Sequence, residues 1–277
     1  MKHQSLVLSI FFMFVFLSSQ AVAQDDDAKS VFRQVRWLEG PGKGSIGDVA
    51  EINVPSGYVF ADASDTKRLM EAMQNPTNGT ELGLFAPSRF DWFMVFAFRN
   101  TGYIRDDEKN NLDADAMLKS IKENNDESNK ERTRKGWATI NLIGWVQQPR
   151  YNETTHNLEW AVKGESNGSP VVNWNTRILG RKGVMTVNLI TDPSTLESIL
   201  PQYNQILANY SYNQGNRYEE FRQGDKISEY GLTALVVGGA TAAAVKTGAA
   251  KWLWKLIVVA VGGAGVFFKN LFSRKKK

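Results

Sequence analysis

The sequence predicts an α+β domain: an antiparallel sheet with flanking helices, followed by a C-terminal transmembrane helix or helices. Three observations carry this. Strand-like runs follow one another across short turns, as an antiparallel meander requires. Helical periodicities fall between hairpin-like pairs, not between single strands, which argues against a parallel α/β sheet. Both ends of the chain are apolar, while the middle has the mixed pattern of a folded domain.

The chain starts Met1-Lys2-His3, runs apolar from Leu6 to Leu17, and reaches Ala21-Val22-Ala23 before Gln24. A positive start, a short apolar core and a small-x-small exit are the parts of a secretory signal. A bilayer span wants ~20 apolar residues, more than this core supplies. Residues 1–23 are therefore expected to be a cleaved signal, and 24–36 a polar lead.

The domain is expected over 37–229. Trp37 to Gly44 reads as a glycine-rich opening loop. Val49 to Val54 alternates apolar and polar; Pro55-Ser56-Gly57 breaks the run and Tyr58-Val59-Phe60 resumes it, which predicts a hairpin. Ser64 is placed to N-cap a helix with Leu69, Met70, Ala72 and Met73 inward. Trp92 to Phe98 is a near-continuous aromatic run, expected as a central strand covered on both faces, with Tyr103-Ile104 pairing after the Asn100-Thr101-Gly102 turn. Asp113 is expected to cap a helix with Ala116, Met117, Leu118 and Ile121 inward. Glu123 to Lys135 is a solvated helix or loop. A β-rich block follows, with strands 137–143, 158–163, 171–179 and 184–190 and turns at Gln148-Pro149, Ser166-Asn167-Gly168 and Gly180 to Gly183. Ser194 to Asn209 is helical around Pro201. Arg134 to Ile143 matches Arg181 to Ile190 at seven of ten positions, so the two stretches are either related strands in like places or a chance likeness. A sandwich resembling the photosystem extrinsic-protein and Mog-type folds is a second arrangement, suggested by a last strand followed by the 196–210 helix.

The C-terminal part, 230–268, is expected to anchor the chain. Gly231 to Val245 is apolar and small-sided; Trp252 to Phe268 is bulkier and is the expected span. Residues 269–277 form a basic tail. No acidic residue occurs from Gly231 onward. Positive residues favour the cytoplasmic side. One span places Lys269 and Arg274 to Lys277 inside, whereas a two-span hairpin would leave them outside.

Charge removes one class of function. Of the 33 Lys and Arg, Lys2 lies in the signal and eight lie from Lys246 on. That leaves 24 basic against 29 acidic groups in the middle, a net of −5. A nucleic-acid binder should carry a basic face, so no nucleic-acid partner is expected. Cysteine is absent, so an exported domain here relies on its core alone, which suits a bacterial envelope.

Chemistry-bearing motifs are sparse. His156 is the one histidine beyond the signal. Glu153, His156 and Glu159 form Glu-x-x-His-x-x-Glu, but residues an odd number apart on a strand face opposite sides, and zinc wants three or four converging ligands. A hydrogen-bonded turn histidine is the better reading. Gly40 to Ser45 has a phosphate-loop flavour, yet Gly-Lys is followed by Gly44 and no strand leads in. Asp106 to Asn111 lacks the sixth-position glycine and closing glutamate of a calcium loop. Trp37, Trp92, Trp137, Trp145, Trp160 and Trp174 could form a glycan or peptide platform if exposed; core and sheet-face packing is favoured.

Three blocks in order, Pro55 to Phe60, Gly144-Trp145 through Pro149-Arg150-Tyr151 to Thr155–Ala161, and Asn173 to Arg181, resemble the bacterial membrane-anchored proteins grouped as domain of unknown function 2167. The resemblance runs from about Trp37 to the C-terminal apolar segments. It implies a Gram-negative envelope setting and brings no catalytic residues.

The resulting expectation is a non-enzymatic envelope module, held at the bacterial inner membrane with its domain in the periplasm. Its partners would be the bilayer, through the C-terminal segment, and an envelope protein or glycan. The small-sided segment could also support helix-mediated self-association. No catalytic, cofactor or metal residues are assigned. The alternative is an envelope hydrolase using carboxylates, with Asp106, Asp107 and Glu153 as candidates.

Overall fold

The computed structural model describes residues 30–73, 75, 77–166 and 168–238. The signal, the expected span from Trp252 to Phe268 and the basic tail lie outside the described residues. Residues 30–35 belong to an N-terminal unit of their own, Met1–Val35, and begin as a helical turn. The domain proper starts at Arg36.

Among the described residues of this domain, two sheets form, and every neighbouring pair of strands is antiparallel. The large sheet holds β1 (Leu38–Glu39), β4 (Tyr58–Asp62), β5 (Glu81–Pro87), β6 (Phe93–Arg99), β10 (Val184–Thr191), β9 (Ser169–Leu179), β8 (Asn157–Ser166) and β7 (Asn141–Asn152), in that spatial order. The small sheet holds β11 (Tyr210–Tyr212), β3 (Ala50–Val54) and β2 (Gly42–Ile46). Four helices flank them: α1 (Ala63–Ala72), α2 (Ala114–Arg134), α3 (Leu196–Leu207) and α4 (Leu232–Val237). The mixed α+β class with a large antiparallel sheet is as the sequence predicts. The chain leaves the sheet centre at β6, crosses by α2 to the far edge, and returns through the β7–β8–β9–β10 meander to lie beside β6.

Alternation along the strands makes two cores. On one face, Met94, Phe96, Trp174, Met185, Val187 and Leu189 meet Ile46, Ile52 and Val54 of the small sheet and Leu196, Ile199, Tyr203 and Ile206 of α3. On the other, Leu158, Trp160, Leu179 and Val184 meet Met117 and Ile121 of α2 and Leu232, Leu235 and Val236 of α4. Each fully buried Leu, Ile or Phe contributes about 1.5–3 kcal/mol. The strand around Trp92–Phe98 is central, with Phe93, Met94, Val95 and Phe96 all buried, as the unbroken apolar run predicts.

Several local expectations are corrected. β3 and β4 do not pair as a hairpin: they lie in different sheets, and Pro55-Ser56-Gly57 is the corner between them. Part of the glycine-rich opening is strand β2, not loop. A Cβ on Gly44 would sit 2.8 Å from the Phe60 ring, and one on Gly83 2.5 Å from it. Those glycines make the slot in which Phe60 packs. Asp62, not Ser64, caps α1, accepting the Asp65 N–H at 3.0 Å. Tyr103 does not pair back onto β6; it bridges to Ile227 in parallel.

The strand expected at 137–143 starts at Asn141 and runs to Asn152, straight through Gln148-Pro149. Three register shifts against β8 absorb the mismatch, and at this sheet edge Pro149 costs no ladder bond. The two echoing stretches therefore occupy unlike places. Arg181-Lys182-Gly183 is a tight turn into central β10, whereas Arg134-Lys135-Gly136 is the end of α2. Asp113 caps α2 as expected, accepting the Ala116 N–H at 3.0 Å. Met117 and Ile121 point inward, but Ala116 and Leu118 do not.

Candidate functional site: a column of aromatic rings beside Lys109

The β7–β8 turn, the 103–112 loop and the 218–221 turn meet at one end of the large sheet. The β7–β8 turn closes with His156 at φ 53°, a left-handed conformation uncommon outside glycine and short polar residues. Asn152 Oδ1 accepts the Thr154 and Thr155 N–H groups and fixes that turn. His156 then packs against Tyr218 at a tilt of 39°, their ring centroids 4.4 Å apart. Tyr218 stacks on Tyr103 at 4.5 Å, and Tyr103 packs against Phe221 at 4.3 Å. The four rings form one column, from half-buried His156 to Phe221, which is 37% exposed.

Hydrogen bonds lock the inner end. The Tyr218 hydroxyl donates to the Ile104 carbonyl at 3.0 Å. The Tyr151 hydroxyl and His156 Nδ1 are 3.1 Å apart. Burial, with a further push from the Asp106 carboxylate, raises the Tyr151 phenol well above its ordinary pKa. Burial does the same to Tyr218. Both phenols stay protonated and neutral at physiological pH.

Two of the three candidate carboxylates come together here. Lys109 Nζ donates to Glu153 Oε2 at 2.8 Å and lies 4.0 Å from Asp106 Oδ2. That hydrogen bond, more than the surrounding charge, raises the Lys109 pKa. Lys109 thus engages both carboxylates as ion-pair partners. Asp107 is exposed in the turn and adds its negative charge to the field around Lys109. Glu108, beside it, faces inward and accepts the Thr233 N–H at 2.7 Å.

The Glu-x-x-His-x-x-Glu spacing does not converge. Glu159 faces the other side of β8, where Arg150 Nη2 donates to it at 3.0 Å, while Glu153 goes to Lys109. Among the described residues no three His, Cys, Asp or Glu side chains cluster as metal ligands would. Trp92, Trp160 and Trp174 are buried, and Trp37, Trp137 and Trp145 are half-buried, so the six do not form a platform. Gly42 to Ile46 being strand, the phosphate-loop likeness has no helix to lead into.

Sequence reasoning missed the column itself. Tyr103, His156 and the Tyr218–Phe221 turn lie on three segments far apart in the chain. Only the dense aromatic content near Tyr151, His156 and Tyr218 hinted at it.

A second polar feature sits on the face of the sheet that Trp160 shares. Arg177 is buried, its guanidinium 4.5 Å from the Trp160 ring, and Nη1 donates to Asn188 Oδ1 at 3.2 Å. Burial, and then the neighbouring Arg99, lower its pKa to about 9.

No curated protein sequence matches the chain. Among solved structures, the cyanobacterial PsbP protein (CyanoP) of Synechocystis sp. PCC 6803 is similar at 12% identity and a TM-score of 0.40, over 62% of this chain and 92% of that one. The Ran-binding protein Mog1p of Saccharomyces cerevisiae gives 12% identity and a TM-score of 0.33, over 67% and 100%. The type VI secretion immunity protein TplEi of Pseudomonas aeruginosa gives 9% and 0.27, over 67% and 77%. At these scores the likenesses say nothing about activity. The sequence profile of the family described as "Protein of unknown function (DUF2167)" matches residues 38–267, most of the chain, and the chain belongs to that family.

Proposed function

We propose that this chain is a non-enzymatic binding module of the bacterial cell envelope, tethered by its C-terminal segment and contacting a protein partner through the outer end of the ring column. The observation that carries the proposal is the column's geometry. Phe221 is an exposed aromatic backed by Tyr103, Tyr218 and His156, which are held in place by the Ile104 carbonyl and Tyr151. Rigid aromatics with a charged border are what protein hot spots are made of. Lys109, Glu153 and Asp106 supply charge on the Tyr151 side of the column. Rings already locked in position lose little conformational freedom on binding.

The tether rests on sequence alone. The apolar run from Trp252 to Phe268, the basic tail and the signal-like start support a periplasmic domain anchored in the inner membrane. Among the described residues no helix is long and apolar enough to cross a membrane, and the expected span lies beyond them. α4 is six residues long, part of the second core, and ends at Gly238 with φ 95°.

A carboxylate hydrolase is the second reading, favoured by the meeting of Asp106 and Glu153 beside His156. It ranks second because Lys109 pairs with both carboxylates and occupies them. The discriminating experiment is in-cell crosslinking and capture of the anchored protein. A specific protein partner supports the binding module. No partner, together with hydrolytic activity of the purified protein that is lost on Asp106→Asn or Glu153→Gln, overturns it.

A further inference from the structure

At the end of α2 an arginine is buried without a counter-charge. Arg132 is 2% exposed. Its Nε donates to the Ala138 carbonyl, while Nη1 and Nη2 are both enclosed and have no hydrogen-bond partner. Two carboxylates on the same helix are engaged elsewhere: Glu131 with Arg134 at 2.7 Å and Lys135 at 4.0 Å, Glu127 with Lys130. Among the described residues no ion pair includes Arg132. A guanidinium offers five donors in a rigid fork that matches carboxylate or phosphate. A buried fork with four donors idle is strongly unfavourable if nothing fills it.

The surroundings are built. Trp137 covers Arg132, with its ring centroid 5.7 Å from Cζ, and Lys135 Nζ lies 4.6 Å from the same ring. The loop is held at both ends. The Trp137 N–H bonds the Arg132 carbonyl at 2.9 Å. Asn129 Oδ1 accepts the Ile140 N–H at 2.9 Å, and Asn125 and Asn129 donate to the Ile140 carbonyl. Ser166 holds the Thr139 carbonyl at 3.0 Å. Between these anchors lies Gly136, at φ 67° with open space around it, next to the Trp137 indole.

We infer that the Arg132 fork is a binding site for an oxyanion group, carboxylate or phosphate, with Trp137 as its cover and Lys135 as a second donor. The anion takes Nη1 and Nη2 together, and the indole closes over the pair. The site is separate from the ring column and does not depend on the proposed function.

The test uses the full-length mature chain in a non-ionic detergent, with inorganic phosphate or acetate added at ionic strength held constant by sodium chloride. Either oxyanion is expected to raise Tm and to change tryptophan emission, both saturably; the stronger of the two identifies the preferred group. Trp137→Phe should remove most of the emission change and keep the Tm shift. Arg132→Met should abolish both responses while its Tm in chloride stays level or rises, because it removes an uncompensated charge. If Arg132→Met does not fold, Arg132→Lys keeps the charge without the fork and should weaken the response at least tenfold. Absence of a saturable response beyond chloride, or an undiminished response in the Arg132 variant, overturns the inference.

Discussion

The Glu108 carboxylate accepts the Thr233 backbone N–H at 2.7 Å, and this bond ties the loop carrying Asp106 and Lys109 to the first turn of α4. At the other end of α4, Asn124 Nδ2 donates to the Val237 carbonyl at 2.7 Å. A six-residue helix is too short to be stable alone. It stands because its N-terminal N–H meets a carboxylate, its last carbonyl meets an amide, and Leu232 and Val236 are fully buried. The ring column and the segment leading to the proposed tether are thus mechanically joined through residues 106–109.

Glu108→Ala should loosen α4. A hydrogen bond to a charged acceptor contributes about 1.5–3 kcal/mol. Urea unfolding should show a loss of that order, and amide exchange over 232–238 should speed up more than exchange in β9 or β10. Unchanged protection of α4 would show that its burial suffices.

The two echoing Arg-Lys-Gly words should respond differently to alanine. A Cβ on Gly183 would fall 1.9 Å from the Arg99 carbonyl oxygen, so backbone must separate from backbone. Gly183→Ala should cost several kcal/mol or prevent folding, as misfit in a packed interior does. Gly136 has φ 67° and nothing near its missing Cβ. Gly136→Ala should cost only about 1 kcal/mol, from the left-handed backbone. Equal effects would contradict the unlike placements of the two stretches.

Arg181 and Asp225 form a two-point ion pair, Nε to Oδ2 at 2.7 Å and Nη2 to Oδ1 at 2.8 Å. The Arg181 hydrogen bond, helped by the Arg222 N–H, lowers the Asp225 pKa from its ordinary 3.8 to about 2. A carboxylate pKa lowered by folding stabilises the fold above its unfolded pKa and ceases to do so as pH falls through the folded one. Asp225→Asn should therefore lower Tm at neutral pH. Its difference from the unsubstituted protein should shrink between about pH 4 and pH 2 and vanish below. A difference independent of pH would mean that the contact acts by packing alone.

The layout of the sheet was readable where one segment decides its own fate. Phe93 to Phe98 is apolar at every position, so it had to be central. Asp113 with Met117 and Ile121 spells a capped helix by itself. The meander from β7 to β10 follows from turns that close locally. What the sequence concealed is decided between segments. β3 and β4 alternate like the arms of a hairpin, yet they lie in separate sheets, with Phe60 of β4 packed in the slot that Gly44 and Gly83 leave open. Pro149 reads as a turn and proves to be an edge-strand residue, tolerated because nothing pairs outside β7. For the site, Asp106 and Glu153 were in view as carboxylates. The cation between them and the rings beside them come from turns up to 118 positions apart, from Tyr103 to Phe221, a spacing without a pattern.

The tether makes its own prediction. A reporter fused after Lys277 should read out in the cytoplasm, since one span puts the closing Lys and Arg inside. A periplasmic readout would require a two-span hairpin or no span.

The most direct test of the binding-module account is a photo-crosslinking residue placed at Phe221 in cells, compared with the same residue at exposed Asn204 on α3. The account predicts a discrete protein adduct from position 221 and none from 204. No adduct at 221, or the same adducts from both positions, would contradict it.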